Sequence, residues 1–403
     1  MPSANADVVI TGIGLVSSLG EGLAAHLANL FDENRRVVDE ARYAPYCFHP
    51  LDSIDYAQQI PKKSDLKQME TWQRLGVYAA GLALSDAGLS GNTDLLDRTH
   101  LVVAAGSGER DIDVDCDVLV KLSQSTDSTL LAKEVLPSAL RPTLFLAQLS
   151  NMLAGNISIV HGVTGSSRTF MGEEIAALSA LEDAWRRISC GQAEIALVGG
   201  ALNADRQDLL LSYELGHNLW RGPHAPVWKR RDAGGGFVPG SVGAFLLLES
   251  RAHAENRGAR SYAQISAVAS ERCNREPGEV TPTMIRLFEQ LGNTTHGTPL
   301  PILSGASGVE PVTRQELCFF DHLPGYGIEP IVRGYGSNLG HSVEAHLFAG
   351  LALAALSLHH RRLPLKRDGC EVERQFTGPL EHALVTSVGH WRGEGLALVE
   401  AEK

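Results

Sequence analysis

Two adjacent carboxylates, Glu173 and Glu174, are the first residues of this sequence that could carry chemistry. They follow the extended run TFMG and begin an amphipathic stretch, EEIAALSALEDAW, whose apolar spacing predicts a helix. A carboxylate at this place could act as a base on a bound molecule, or could only complement the partial positive charge of the helix N-terminus. An acidic first turn is the simpler interpretation.

Other residue types that often carry chemistry are scattered along the chain. The six cysteines form no CxxC pair and show no metal-ligand spacing, so we expect neither a zinc site nor a disulfide framework. The fifteen histidines are also dispersed. His359 and His360 are predicted to lie near a helix end, where they would complement the helix dipole. We expect no metal and no cofactor.

The composition of the 403 residues restricts the class of protein. A hydrophobic fraction of 44% and a charged fraction of 20% are typical of a soluble globular chain, and no tract is long enough to cross a bilayer. The net charge of -12 disfavours sequence-independent nucleic-acid binding, which relies on basic residues. The start, MPSANADVVI, lacks the pattern of a secretory signal. We therefore expect a cytoplasmic protein without a nucleic-acid partner or a membrane span.

Short apolar runs rich in β-forming residues alternate with helical stretches, which predicts a layered α/β protein. Strands are expected at 8–14, 101–108, 194–200 and 243–250. The charged stretch RAHAENRGAR then marks the boundary between an N-terminal half, 1–250, and a C-terminal half, 251–403. VVITGIGLVSSLG and PILSGASGVEPV share a strand, a glycine turn and a small polar residue, which suits two related halves. The apolar helix predicted at 346–358 must be buried.

Several of these stretches resemble the β-ketoacyl-ACP synthases, which are condensing enzymes of the thiolase fold. VVITGIGLVSSLG is similar to their opening strand and SNMLAGNISIVHGVTGSS to their dimer-interface region. GQAEIALVGGA resembles the next core strand, and DAGGGFVPGSVGAFLLLE resembles the glycine-rich segment that ends in a strand. The matches run from about residue 8 to 400. The resemblance implies a five-layered αβαβα fold of two pseudo-equivalent halves, usually dimeric, that acts on acyl chains carried by acyl carrier protein.

The resemblance also implies where a nucleophile would lie. In active members a cysteine opens the helix after the interface strand, because the helix N-terminus stabilises a thiolate and an oxyanion. Counting forward from Gly162 and backward from Gly191 places this position at Glu174. Cys190 lies sixteen residues further on, at the other end of the predicted helix. A carboxylate cannot carry an acyl chain as a thioester, so the condensing chemistry is expected to be lost.

The other catalytic positions of the family have also changed. The family's His-Gly-Thr motif corresponds to ASGVEP, which gives Ala306 in place of the first histidine. Its Lys-x-x-x-x-His run corresponds to RGYGSN, which gives Arg333 and Asn338. A three-residue shift would place His341 at the second histidine instead. That shift requires an insertion and displaces the following helix, so Asn338 is preferred.

The family's glycine-rich gating loop, Gly-Phe-Gly-Gly, corresponds to GHWRG. His390 takes the place of the phenylalanine, and Trp391 and Arg392 replace glycines. A bulkier loop is expected to move less and to close the pocket.

Glu174 and Arg333 are predicted to form a buried ion pair that plugs the vestigial site, because a buried carboxylate without a partner would be unfavourable. Simpler interpretations are that Asn338 is a turn residue, that Arg333 is a surface cation and that Trp391 belongs to the core.

Among relatives of this family, the pattern is most similar to the chain-length-factor subunits of type II polyketide synthases. These pair with an active ketosynthase as a heterodimer, lack the cysteine and shape the chain tunnel. Many carry glutamine where this chain has Glu174, so no decarboxylase role is transferred. GYGSNLGHSVEAH is similar to partner subunits of aryl polyene systems. The expected partners are an active ketosynthase and acyl carrier protein, and this chain alone is expected to be inactive in condensation.

Two alternatives are left open by the sequence. The chain could be a homodimeric relative with altered acyl-thioester chemistry, a decarboxylase or hydrolase that uses Glu174 as a base. It could also be a non-catalytic acyl-binding scaffold without a ketosynthase partner.

Overall fold

The structure is a computed structural model. It describes residues 6–30, 37–124, 127, 129, 132–133, 136–140, 142–292, 299–366 and 372–402.

Within the described residues, eleven strands form one mixed sheet. A separate small hairpin pairs β3 with β4. The strands are β1 (Val8–Ser17), β2 (Gly20–Glu21), β3 (Asp39–Tyr43), β4 (Tyr46–Phe48), β5 (His100–Ala104), β6 (Ser167–Phe170), β7 (Ile195–Leu202), β8 (Val242–Ser250), β9 (Ala263–Glu271), β10 (Leu300–Ser304), β11 (Pro330–Gly334), β12 (His382–Val388) and β13 (Glu394–Ala401).

The α-helices that pack on this sheet vary from single turns to sixteen residues. They are α1 (Gly22–Leu30), α2 (Lys63–Gln68), α3 (Thr71–Asp86), α4 (Thr93–Leu96), α5 (Ile112–Gln124), α6 (Leu136–Ala139), α7 (Pro142–Gln148), α8 (Met152–His161), α9 (Glu174–Ser189), α10 (Gln207–Leu215), α11 (Val227–Arg230), α12 (Arg251–Asn256), α13 (Val280–Gln290), α14 (Val312–His322), α15 (Gly336–Leu339) and α16 (His346–His359).

The sheet repeats one strand order on either side of residue 250. Strands before this residue follow the order β6-β5-β7-β8-β1, and strands after it follow the order β11-β10-β12-β13-β9. When the five strands of each set are numbered from 1 to 5 in chain order, both sets have the spatial order 3-2-4-5-1. The two sets meet where β1 pairs antiparallel with β9. The repeated order supports the predicted halves, 1–250 and 251–403, and their boundary stays a prediction.

Buried apolar residues separate the molecule into layers. Helices α3 and α8 cover the outer face of the first strand set. Helices α13 and α14 cover the outer face of the second set. Helices α9 and α16 share a third core with strands of both sets, and therefore lie between them. This order of layers is the αβαβα arrangement expected from the sequence.

Two glycines of β1 explain why helix α3 is rich in small residues. A β-carbon added at Gly14 would lie 1.9 Å from the carbonyl oxygen of Ala79, and one added at Gly12 would lie 2.4 Å from that of Ala83. The backbones of α3 and β1 can approach this closely only because no side chain separates them. The small residues of α3 thus allow its backbone to pack directly on β1.

The sequence predicted a buried helix at 346–358, and the structure confirms it as α16. Every residue from His346 to Leu358 is buried. Within the described residues, no helix combines the length and the apolar character that a bilayer crossing needs.

Candidate functional site

The turn that leads from β6 into α9 places Glu174 in the interior. Glu173 has a φ of 62° and a ψ of -135°, in a region that residues other than glycine rarely adopt. Gly172, just before it, has a φ of 133°. This sharp turn aims the first side chain of α9 inward, and Glu174 is only 2% exposed.

Both partners of the Glu174 side chain come from the C-terminal part of the chain. The Nε2 of His341 and the Nδ1 of His390 each donate a hydrogen bond of 2.7 Å to the Oε1 of Glu174. The backbone N–H of His390 adds a longer contact of 3.4 Å to the same oxygen. The other oxygen, Oε2, is buried and has no hydrogen-bond partner among the described residues. One oxygen of this carboxylate is therefore saturated and the other is free.

His341 is held by a segment that precedes β8. Its backbone N–H donates to the carbonyl of Val238 at 2.8 Å. A β-carbon at Gly240 would lie 1.8 Å from the carbonyl oxygen of Leu339. Only glycine therefore allows the backbone at residue 240 to pack this closely against the backbone at residue 339. The ring of Phe237 packs on His341 and also on His390, with centroid distances of 5.3 and 5.6 Å. Both imidazoles are thus fixed by apolar packing as well as by Glu174.

His390 lies in the loop between β12 and β13. The loop is closed by a hydrogen bond of 2.8 Å from the N–H of Gly389 to the carbonyl of Gly393. Arg275 donates to the carbonyl of Gly389 at 2.6 Å and pairs with the buried Glu394. The loop is therefore anchored at its base as well as through His390.

The charge distribution in this cluster follows from burial and from the short contacts. Burial alone would raise the pKa of Glu174, but the charge of His390 and hydrogen bonds from both imidazoles outweigh it and hold the pKa well below its usual value. Burial lowers the pKa of His341. Burial opposes the charge on His390, but Glu174 more than compensates and raises the pKa of that imidazole. The positive charge of the cluster is therefore favoured on His390 and disfavoured on His341.

A cavity of about 750 Å³ lies beside the cluster. His390, Glu173 and Glu344 line it, so the buried cluster borders space that a small molecule could enter. Burial raises the pKa of Glu344 to about 7. Trp391 and Arg392 also border the cavity, and Trp391 is 63% exposed. The bulky loop borders this space without filling it, and Trp391 does not belong to the core.

The predicted ion pair between Glu174 and Arg333 is not formed. Arg333 lies on β11 and donates to the carbonyls of Pro364 at 2.7 Å, Val332 at 2.8 Å and Arg374 at 3.0 Å. The residue is only 5% exposed, so Arg333 is not a surface cation either. The ion pair was wrong because strand β11 directs this side chain toward the loop carbonyls instead of the start of α9.

The preferred position for the second histidine also needs correction. Asn338 lies in α15 and lines a small gap together with Arg333, while the second-half residue that reaches Glu174 is His341. The geometry favours the three-residue shift. The Gly-His pair at 340–341 was the signal for it. Ala306, at the first histidine position, is buried and follows β10, and its side chain has no polar atom.

Two further residues near the cluster were missed by sequence reasoning. The ring of His346 lies 4.3 Å from that of His341, measured between centroids, and Glu344 faces the cavity. Both follow the Gly-His pair in the stretch GHSVEAH, whose density of titratable residues was the available signal. Of the cysteines, Cys370 lies outside the described residues. The five others do not line the cavity or bond to Glu174: Cys47, Cys116, Cys190, Cys273 and Cys318.

Comparison with known proteins gives a family match over most of the chain. The family model described as "Beta-ketoacyl synthase, N-terminal domain" matches residues 5–254. The 3-oxoacyl-[acyl-carrier-protein] synthase 2 of Vibrio cholerae serotype O1 is 26% identical over 269 residues, which cover 64% of this chain and 61% of that protein. This chain thus spans less than two thirds of that synthase's length. The tetracenomycin polyketide synthase ketoacyl synthase beta subunit of Streptomyces glaucescens is 26% identical over 346 residues, with coverage of 82% and 80%.

Solved structures share the fold along nearly the whole chain. The structure described as the ishigamide ketosynthase/chain length factor has a TM-score of 0.80 at 20% identity, and covers 99% of this chain and 100% of its own. A complex of AntDE with AntF, described as a type II PKS acyl-carrier protein with its ketosynthase bound to the hexaketide, has a TM-score of 0.74 at 17% identity, with coverage of 99% and 100%. These likenesses confirm the predicted thiolase-like α/β fold.

Proposed function

The chain belongs to the β-ketoacyl synthase family, and from this premise we propose that it is a non-condensing, chain-length-factor-like subunit of a type II synthase. One observation carries this proposal. The residue that opens α9, where the family is expected to place its acyl-accepting cysteine, is a buried glutamate held by two imidazoles.

The chemistry of Glu174 supports the loss of condensation. A carboxylate cannot hold an acyl chain as a thioester, and its low pKa keeps it ionised. Ala306 can neither donate nor accept a proton at the expected first histidine position. His341 is engaged with Glu174, so its Nε2 is not available to a malonyl carboxylate. The transfer step and the proton-transfer partners are therefore both impaired.

An edge strand supports association with a partner subunit. Strand β6 ends the sheet, and among the described residues it pairs only with β5. Apolar side chains next to this edge are exposed, with Ile159 at 68% and Met171 at 61%. An unpaired strand edge beside apolar surface is a suitable place for a second sheet to add. We propose that this edge receives an active ketosynthase, which would supply the cysteine and bind the acyl carrier protein.

The cavity beside His390 gives such a subunit a means to influence the product. Its volume of about 750 Å³ suits a growing acyl or polyketide chain, and its lining includes Trp72, Leu202 and Leu209 as well as charged residues. In this proposal the cavity helps to limit the length of the chain that the partner elongates. An aryl polyene chain is one such product, suggested by the sequence stretch GHSVEAH.

Co-expression with candidate active ketosynthases tests the proposal. The expected result is a one-to-one complex by size-exclusion chromatography that condenses malonyl and acyl units on acyl carrier protein. Mass spectrometry of the working complex should find the acyl group on the partner's cysteine only. A homodimer of this chain that condenses alone, or an acyl group on one of its own thiols, would contradict the proposal.

The same cluster favours a second candidate function. Glu174 and His341 do not line the cavity, but His390, which contacts Glu174, and Glu173 do, so a base could act there on an acyl thioester. A homodimeric decarboxylase or hydrolase would turn over malonyl or acyl thioesters without a partner, and Glu174→Gln would abolish this turnover. Absence of any thioester loss by the isolated chain would exclude this candidate.

A further inference from the structure

Glu174, His341 and His390 together offer the donor atoms of a metal centre. One carboxylate oxygen and two imidazole nitrogens lie within 4.8 Å of one another, and all three residues are buried. We propose that this cluster binds one divalent transition-metal ion of the Zn²⁺ type, with the three side chains as protein ligands and a water from the cavity as the fourth ligand. Two histidines, one glutamate and a water are a frequent ligand set for zinc in proteins.

The distances in the cluster are compatible with this assignment after a small movement. Each imidazole nitrogen lies 2.7 Å from the Oε1 of Glu174. Ligands of a tetrahedral zinc ion at its usual bond lengths are separated by about 3.3 Å. A shift of the carboxylate by about half an ångström would bring both nitrogen–oxygen separations to that value, and the two imidazole nitrogens already lie within 4.8 Å of each other. The Oε2 of Glu174 is buried without a partner among the described residues, so the carboxylate also has an unused ligand atom.

The local charge provides an independent reason for a cation. The carboxyl groups of Glu173, Glu174 and Glu344 are gathered around the cluster, and Glu173 and Glu344 line the cavity. Within the part of the chain that the structure describes, the only groups within 4 Å of these carboxylates that can carry a positive charge are histidines: both imidazoles beside Glu174, and His390 beside Glu173. A divalent ion would supply the positive charge that no lysine or arginine provides at contact distance.

The position of Glu173 also fits a metal-bound His390. The Nδ1 of His390 faces Glu174, and its Nε2 lies 3.9 Å from the Oε1 of Glu173. Histidines that bind a metal through one ring nitrogen usually direct the other ring nitrogen at a carboxylate or carbonyl, which fixes the ring. The carboxylate of Glu173 thus lies near the ring nitrogen of His390 that does not face Glu174.

A metal at this point would join three separate segments. Glu174 begins α9, His341 follows α15, and His390 lies in the loop between β12 and β13. An ion bound to the folded chain and not to the unfolded chain stabilises the fold by mass action. Metal binding is therefore expected to raise the midpoint of thermal unfolding. The binding itself should also be measurable directly by titration.

The full chain is stripped of metal with EDTA, dialysed and titrated with Zn²⁺ in a calorimeter. Its thermal unfolding is measured at increasing amounts of Zn²⁺. We expect one tight site per chain, a Tm that rises to a plateau at one equivalent, and a visible absorption band with Co²⁺ in place of Zn²⁺. Glu174→Gln, which keeps the shape of the side chain, should weaken Zn²⁺ binding at least tenfold. His390→Phe should weaken it by at least the same factor.

His360→Gln serves as the matched control, because His360 is an exposed histidine outside the cluster. It should bind Zn²⁺ as the unaltered chain does, which excludes adventitious binding to surface histidines. Circular dichroism establishes that each variant is folded. Failure of the unaltered chain to bind one equivalent would overturn the proposal, as would unchanged affinity in both cluster variants. Neither outcome depends on a ketosynthase partner, so this test is separate from that of the proposed function.

Discussion

The Oε1 of Glu174 lies 2.7 Å from the Nδ1 of His390, a residue 216 positions later in the chain. Both side chains are buried, so their interaction is screened less by salt than that of an exposed pair. The start of one central helix is therefore tied to the loop that the family is expected to use as a gate.

Removing both members of this pair should destabilise the protein by less than the sum of removing each one alone. With EDTA present, His390→Phe leaves the carboxylate of Glu174 with fewer partners in the interior, and should lower the free energy of unfolding by about 3 to 5 kcal/mol. The double variant Glu174→Gln with His390→Phe should lose less than the sum of the single changes, because no unpaired charge is left. Urea unfolding of all four proteins measures the coupling. Additive losses would show that the two side chains do not stabilise each other.

Arg333 should behave independently of Glu174. Arg333→Met removes charge-assisted hydrogen bonds to the carbonyls of Pro364 and Arg374, so we expect a loss of about 1.5 to 3 kcal/mol. Combined with Glu174→Gln, the two losses should add to within about 0.5 kcal/mol, since the residues share no partner. Urea unfolding of the single and double variants measures the coupling energy between the two residues. A coupling energy well above that margin would support the ion pair predicted from the sequence.

Glu174→Cys should not restore condensation. The new thiol would open α9 and could be acylated, but Ala306 cannot take part in proton transfer and His390 fills the phenylalanine position of the loop. Assays with acyl and malonyl groups on carrier protein, together with mass spectrometry of the thiol, separate the two steps. A Cys190→Ser background removes the exposed thiol at the end of α9. Turnover to a β-ketoacyl product would mean that the lost cysteine alone had silenced the site.

Glu316 should make the stability fall as the pH rises. This residue is buried on α14, its Oε1 accepts hydrogen bonds from Ser304 and Thr386, and burial raises its pKa to about 7. The folded protein therefore holds a proton that the unfolded chain, with a pKa near 4.5, releases. The stability associated with this proton is present below pH 4.5 and is lost as the pH rises through 7, on the order of 3 kcal/mol in total.

Glu316→Gln removes this titration and should raise the Tm relative to the unaltered chain more at pH 8 than at pH 5. An exposed carboxyl provides the comparison, and Glu381→Gln should show no such difference between the two pH values. Equal effects of Glu316→Gln at both pH values would contradict the prediction, because they would mean that the folded and unfolded carboxyls do not differ in titration between pH 5 and pH 8.

Most of the fold could be predicted because its signals are local. The strand expected at 194–200 is Ile195–Leu202, and the helix expected at 346–358 is His346–His359. Strand and helix periodicities, small residues at close approaches and glycine turns all lie within a few consecutive residues. The position of Glu174 at the start of α9 was predicted for the same reason.

The partners of Glu174 could not be predicted in the same way. Counting along the Lys-x-x-x-x-His motif gives Arg333, the predicted partner of Glu174, and Asn338 as the second-histidine position, and this count assumes that no residue has been inserted or deleted. His341 and His390 reach the carboxylate because the segment at 238–240 and Phe237 fix where the two imidazoles pack. These are contacts between distant parts of the chain, and no periodicity in the sequence encodes them.

The place of α9 between the two strand sets has a consequence for the order of synthesis. Its apolar face packs on strands of both sets, and the partners of Glu174 lie 167 and 216 residues downstream. A nascent chain that has emerged only as far as β8 would hold a central helix with one side uncovered. Contacts of such long range slow folding, and exposed apolar surface in the interval invites aggregation. Complete burial of α9 is therefore expected only after β12 and β13 have been synthesised.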